Sequence, residues 1–123
     1  MITGRVNEKL EAVLTLSIYD SQGKSREVEA LIDTGYTAYL TLPSTIIAEL
    51  GLENFATGQL TMADGSKIVS ELYQASILWD GQPRTIEVDA LESEVLVGMA
   101  LLEGCDLHIH IAVDGQATIT SFR

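Results

Sequence analysis

Val28-Glu29-Ala30-Leu31-Ile32-Asp33-Thr34-Gly35 is the stretch on which the fold turns. A mainly apolar β-type run ends directly on an aspartate, and Tyr36-Thr37-Ala38-Tyr39-Leu40-Thr41-Leu42-Pro43 follows as a second extended segment. A carboxylate placed where a buried strand breaks into a glycine-containing loop is costly unless something uses it. The tripeptide by itself is a weak signal; its context carries the weight.

Working outward, the pattern is β almost throughout. Val13 to Tyr19 alternates with Leu14, Leu16 and Ile18 on one face. Asp20-Ser21-Gln22-Gly23 is a turn, and Arg26 to Ile32 returns as the strand that delivers Asp33. Pro43-Ser44 opens a helix over Thr45 to Leu50, stopped by Gly51. Leu60 to Ala63 and Lys67 to Leu78 flank Asp64-Gly65, a hairpin signal. Asp80-Gly81-Gln82-Pro83 turns the chain into a strand over Thr85 to Ala90. Val95 to Val97 reads as a short buried strand, and Met99 to Leu102 as a short helix stopped by Gly104. Asp106 to Val113 and Gln116 to Phe122 form a last hairpin around Asp114-Gly115. Many short strands separated by turns imply an all-β barrel or sandwich with one or two short helices.

Three pieces stand in one order: Ala30-Leu31-Ile32-Asp33-Thr34-Gly35, the turn Ala63-Asp64-Gly65-Ser66, and Glu94-Val95-Leu96-Val97-Gly98-Met99-Ala100-Leu101-Leu102. In order and spacing they resemble the small retropepsin-like aspartic peptidases of viruses and bacteria, over about Glu11 to Leu107. The resemblance implies a single-lobe acid-protease β-barrel occupying residues 1–123 as one domain. It implies Asp33, Thr34 and Gly35 as the catalytic motif, with Thr37 supporting the catalytic carboxylate. Ala63, Asp64, Gly65 and Ser66 are then the tip of a substrate-covering flap. Leu96, Val97 and Gly98 are the second signature, next to the catalytic loop. Tyr36 departs from the viral pattern, where small residues follow Asp-Thr-Gly; a bulky aromatic there is similar to the bacterial branch.

Peptide hydrolysis by carboxylates needs one ionised group to activate water and one protonated group to polarise the carbonyl. Two close carboxylates share a proton and titrate as a coupled pair. This chain has a single Asp-Thr-Gly, so a homodimer must supply the second through a two-fold axis. The expected activity is hydrolysis of extended peptide or unfolded protein, with no metal and no cofactor. The alternative is a non-hydrolytic peptide-binding or assembly module on the same scaffold. In dimerising viral members the chain ends share a sheet, and both Met1 to Val6 and Thr118 to Phe122 have strand character here.

Composition narrows the setting. The 123 residues suffice for one modest core, and 46 % are hydrophobic, which excludes disorder. A net charge of −11 argues against nucleic acid and anionic membranes. No apolar run reaches the ~20 residues that span a bilayer. No secretory pattern opens the chain, and Cys105 has no partner for a disulfide. A cytoplasmic location is the expectation. His108 and His110 share a strand face opposite Leu107, Ile109 and Ile111, and read as an exposed polar face and not as metal ligands. Glu87, Asp89, Glu92 and Glu94 read as a solvated acidic edge, and Trp79 is left open between core and edge.

Overall fold

The computed structural model describes the backbone of residues 1–123 and every side chain except those of Leu60 and Ser70. Its strands are β1 (Ile2–Val6), β2 (Ala12–Tyr19), β3 (Ser25–Ile32), β4 (Leu40–Leu42), β5 (Glu53–Thr61), β6 (Lys67–Trp79), β7 (Gln82–Ala90), β8 (Leu96–Val97), β9 (Cys105–Ile109) and β10 (Gln116–Ser121). Two short helices interrupt them, α1 (Ser44–Leu50) and α2 (Met99–Leu102). Neither is long and apolar enough to cross a membrane.

Six strands close a barrel in the order β6-β7-β4-β8-β3-β2, with β2 returning to pair with β6. β5 lies outside β6, and β1, β10 and β9 continue from β2. Alternation dictates the interior. Leu14, Leu16 and Ile18 of β2, Val28 and Ala30 of β3, Leu40 and Leu42 of β4, and Ile86 and Val88 of β7 all point inward and are buried. Each such aliphatic side chain contributes about 1.5–3 kcal/mol on burial. Helices α1 and α2 add Ile47, Leu50, Leu101 and Leu102 to this core. Trp79 joins it too, which resolves its placement.

The hairpins follow their turn residues. Asp80 and Gly81 both take positive φ (51° and 79°), the geometry of a two-residue type I′ turn between Trp79 and Gln82. Gly51 ends α1 in the left-handed conformation, with φ 64°.

Four expectations need correction. The segment after Asp-Thr-Gly is extended only at Leu40–Leu42; residues 36–39 are a loop. The reason lies in α2, whose first N–H groups lack intrahelical acceptors. The loop carbonyls supply them: Gly98, Met99 and Ala100 N–H donate to Tyr39, Tyr36 and Ala38 O. Strand β9 ends at Ile109, short of Val113, because residues 110–115 turn back to bond β1. Strand β5 begins at Glu53, well before Leu60, since it pairs along most of β6. Finally, Asp89 is no part of a solvated edge: it is buried, while Glu87, Glu92 and Glu94 are exposed.

Both chain ends form strands, and they pair with each other inside one chain. β1 runs antiparallel to β10 on one side and to β2 on the other. His108 and His110 are exposed, with their rings edge to face at 5.0 Å.

Candidate active site

Strand β3 carries the chain to Asp33, and β8 fixes where it arrives. The two pair in parallel, Leu31 opposite Leu96 and Ile32 opposite Val97. Leu31 N–H donates to Val95 O and Asp33 N–H to Val97 O, each at 2.9 Å. On its other side β8 meets β4, Leu40 opposite Val97. The Leu96-Val97-Gly98 segment therefore lies between the strand that enters the Asp-Thr-Gly loop and the strand that leaves it. Two pieces more than sixty residues apart in the chain become one structural unit.

Within the loop, Tyr36 N–H donates to Asp33 O at 3.1 Å, which closes a turn through the exposed Thr34 and Gly35. Gly35 N–H donates to Asp33 Oδ1 at 2.9 Å and orients the carboxylate. A Cβ on Gly35 would stand 3.2 Å from that oxygen, so glycine gives the closest comfortable approach. Asp33 is half-buried. It forms part of the wall of an open groove of about 400 Å³, with Thr34 beside it and Leu10, Leu31, Leu96, Ile109 and Ile111 around it. A carboxylate presented this way, with one oxygen held by a backbone amide, is a usable proton acceptor or donor.

Gly98 shows why the second signature needs glycine. A Cβ there would lie 2.3 Å from Ala38 O and 2.5 Å from Cδ2 of Tyr36. The Tyr36 ring packs where that side chain would be.

The hairpin between β5 and β6 reaches the Asp-Thr-Gly region through Met62 at the base of its turn. Its turn is a three-residue loop, Ala63-Asp64-Gly65, closed by Met62 N–H donating to Ser66 O at 2.8 Å. Asp64 Oδ1 accepts from Ser66 N–H (2.9 Å) and from Ser66 Oγ (2.6 Å). These bonds, the hydroxyl's first, hold the Asp64 carboxyl below the usual aspartate range. Met62 packs into a small apolar cluster with Tyr36, Leu96, Leu31, Ala38 and Leu91, separate from the main core. The base of the hairpin turn and the loop thus share one cluster.

Thr37 is exposed, and among the described residues its side chain makes no hydrogen bond to Asp33. Two buried polar residues brace this region instead, and neither stands out in the sequence. Thr41 is fully buried; its Oγ1 donates to Glu94 O (2.8 Å) and accepts from Leu96 N–H (2.7 Å), which ties β4 to the start of β8. Asp89 is only 5 % exposed and accepts a 2.5 Å hydrogen bond from the Tyr36 hydroxyl, itself on a side chain 7 % exposed. Burial raises the Asp89 carboxyl, an effect the Tyr36 bond opposes. Burial first, and then the neighbouring carboxylate, keep Tyr36 protonated. Strand alternation puts Thr41 and Asp89 on the outer face, where a solvated residue is expected. Both are buried nonetheless: Tyr36 bonds Asp89, and the backbone of Glu94 and Leu96 bonds Thr41.

The chain is similar in structure to a retropepsin-like aspartic protease from Rickettsia conorii. The match covers 99 % of this chain and 91 % of that one, with a TM-score of 0.59 at 16 % sequence identity. No protein-family model and no curated protein matches the sequence. At that identity the likeness concerns architecture: the chain has the single-lobe retropepsin-like fold.

Proposed function

We propose, from a retropepsin-like fold that presents the carboxylate of Asp33 on an open groove, that this chain is a homodimeric aspartic endopeptidase. The observation that carries the proposal is the Asp-Thr-Gly loop itself: Asp33 at the end of a barrel strand, one oxygen held by Gly35 N–H, the other free to act. Each subunit contributes one Asp33. The pair holds a single proton, one carboxylate taking a proton from water as the other protonates the scissile carbonyl. Neither a metal nor a covalent intermediate enters the reaction.

In this scheme Thr34, exposed beside Asp33, bonds across the two-fold axis, and Thr37 supports the carboxylate once the partner is in place. The Ala63-Asp64-Gly65-Ser66 hairpin is the flap, covering an extended peptide and excluding water. Peptide or unfolded protein pairs its backbone with strand edges. β1 is flanked on both sides by strands of its own chain. In this reading the partner meets the face that carries Asp33, as a dyad of two Asp33 carboxylates requires.

The test is cleavage of an unfolded protein from mildly acidic to neutral pH by wild type and Asp33→Asn, each also sedimented. Cleavage by the wild-type dimer alone is the expected result, strongest below neutral because a net charge of −11 favours the dyad's shared proton. Equal cleavage by Asp33→Asn would overturn the proposal. A stable dimer that binds peptide at every pH and never cleaves it would assign the chain to the non-hydrolytic alternative.

A further inference from the structure

Tyr36 and Asp89 form a polar pair in a place where packing alone asks for none. Asp89 sits near the end of β7, one residue beyond the inward-facing Val88, opposite Thr41 of β4 and Leu72 of β6. Among the described residues, the side-chain donor to its carboxylate is the Tyr36 hydroxyl, which also lies 3.3 Å from Leu40 O. Two apolar side chains of similar shape would fill the same space with less desolvation. A hydroxyl and a carboxylate instead add direction, because a hydrogen bond works over a narrow range of distance and angle.

That direction is passed to Asp33 through short covalent and hydrogen-bonded links. Tyr36 is pinned at its ring by the space left at Gly98 and at its hydroxyl by Asp89. Its carbonyl is held by Met99 N–H at 2.8 Å, and its own N–H donates to Asp33 O. Moving the ring moves the Tyr36 backbone, and that backbone closes the turn in which Gly35 N–H orients the Asp33 carboxylate. Thr34 and Gly35 are exposed and have no packing of their own to fix the turn. The entry to the turn is held by the Asp33 N–H bond to Val97 O, and its exit is held through Tyr36.

We infer that Tyr36 and Asp89 are positioning residues for Asp33: the buried hydroxyl–carboxylate bond anchors the Asp-Thr-Gly loop to β7 and sets the angle at which the catalytic carboxylate faces the groove. The inference rests on the peptidase reading for its catalytic consequence, but its structural half stands without any cleavage. It also accounts for the bulky residue directly after Asp-Thr-Gly. The tyrosine is the strut, and Gly98 is the socket that admits it.

Amide hydrogen exchange tests the structural half on the intact chain. In Tyr36→Phe and in Asp89→Leu, the Gly35 and Tyr36 amides are expected to exchange about tenfold faster than in wild type, the size of one lost buried hydrogen bond. The amides of β2 and β3 are expected to stay unchanged. Asp89→Asn keeps an acceptor for the hydroxyl and should recover most of the lost protection. A merely space-filling role predicts wild-type rates in Tyr36→Phe, which keeps the ring and loses only the hydroxyl. Loop amides at wild-type rates in both Tyr36→Phe and Asp89→Leu would overturn the inference, as would acceleration matched throughout β2 and β3.

Cleavage kinetics test the other half. In Tyr36→Phe kcat is expected to fall about tenfold with KM nearly constant, since a misaligned carboxylate harms the chemical step more than peptide binding. An unchanged kcat in an enzyme that cleaves would overturn the positioning role. A wild-type chain that cleaves nothing sinks the peptidase reading alone, because the exchange result still decides whether the pair holds the loop.

Discussion

At the turn Ala63-Asp64-Gly65-Ser66 a Cβ added to Gly65 meets nothing within 4 Å, whereas at Val113-Asp114-Gly115-Gln116 one added to Gly115 lies 2.0 Å from the His110 carbonyl oxygen. Both turns carry Asp-Gly between strand-forming runs, and by their residues alone they read as the same device. Among the described residues, the hydrogen bonds that close the first are its own, through Asp64, Ser66 and the Met62–Ser66 bond. The second is bonded into the body of the molecule: Asp114 N–H donates to Val6 O (2.9 Å), and Val6 N–H donates to Gly115 O (2.8 Å). There the positive φ falls on Asp114, and Gly115 is needed for space, not for its dihedral freedom. A turn sequence tells that the chain reverses. It does not tell whether the reversal is free to move or fixed as a corner. A flap must be of the first kind, and the turn that secures β1 beside the groove must be of the second.

The largest effect that could break this contrast is at the fixed corner. Gly115→Ala drives a methyl group into backbone oxygen and should cost more than about 3 kcal/mol, at the upper end for overpacking. Chemical denaturation measures it directly. A variant as stable as wild type would show that the corner yields as readily as the turn at Gly65.

Gly65→Ala should cost only about 1 kcal/mol, the penalty for a side chain at left-handed φ, here 86°, since no neighbour opposes the new atom. If the hairpin is the flap, cleavage of an unfolded substrate should fall by more than this stability loss explains. A loss of activity in step with stability would leave the hairpin as an ordinary turn.

Smaller differences appear with pH, and their signs oppose. Asp64 has a lowered folded value, so its contribution is present above the unfolded aspartate value and disappears as pH falls through the folded one. Acid should therefore loosen the Asp64 turn, seen as faster exchange of the Ser66 amide after correction for intrinsic rate. Asp89 has a raised folded value, so its contribution is fully present below the unfolded value and is lost as pH rises through the folded one. Asp89→Asn should flatten that part of the stability profile above the usual aspartate range. Profiles of identical slope for wild type and variant would contradict the burial of a titrating carboxylate at this position.

Much of the fold was legible because its signals are local. Alternation in Val13 to Tyr19 and in the run up to Asp33, the Asp-Gly turns and the Pro43 and Gly51 ends of α1 each depend on residues a few positions apart. The approach of Leu96-Val97-Gly98 to Asp33 was implied by resemblance and is realised by parallel pairing with β3. What the sequence hid was anything decided across the barrel. Residues 36–39 have strand-forming side chains, yet they loop because the amides opening α2 take their carbonyls. Asp89 belongs by alternation with the exposed Glu87, yet it is buried because Tyr36 folds over it. Thr41, between two inward leucines, has no mark of its role in joining β4 to β8.

By itself, then, the sequence determined the β class, the turn positions, the acid at a strand end and the glycines where backbone must pass close. These follow from steric and hydrogen-bonding preferences that act within a few residues. Only the tertiary structure decided which turn is free and which is pinned, that the chain ends pair with each other, and which outward-facing polar residues become buried. Those outcomes depend on which distant segments meet, and burial and hydrogen-bond satisfaction are properties of the meeting, not of either segment alone.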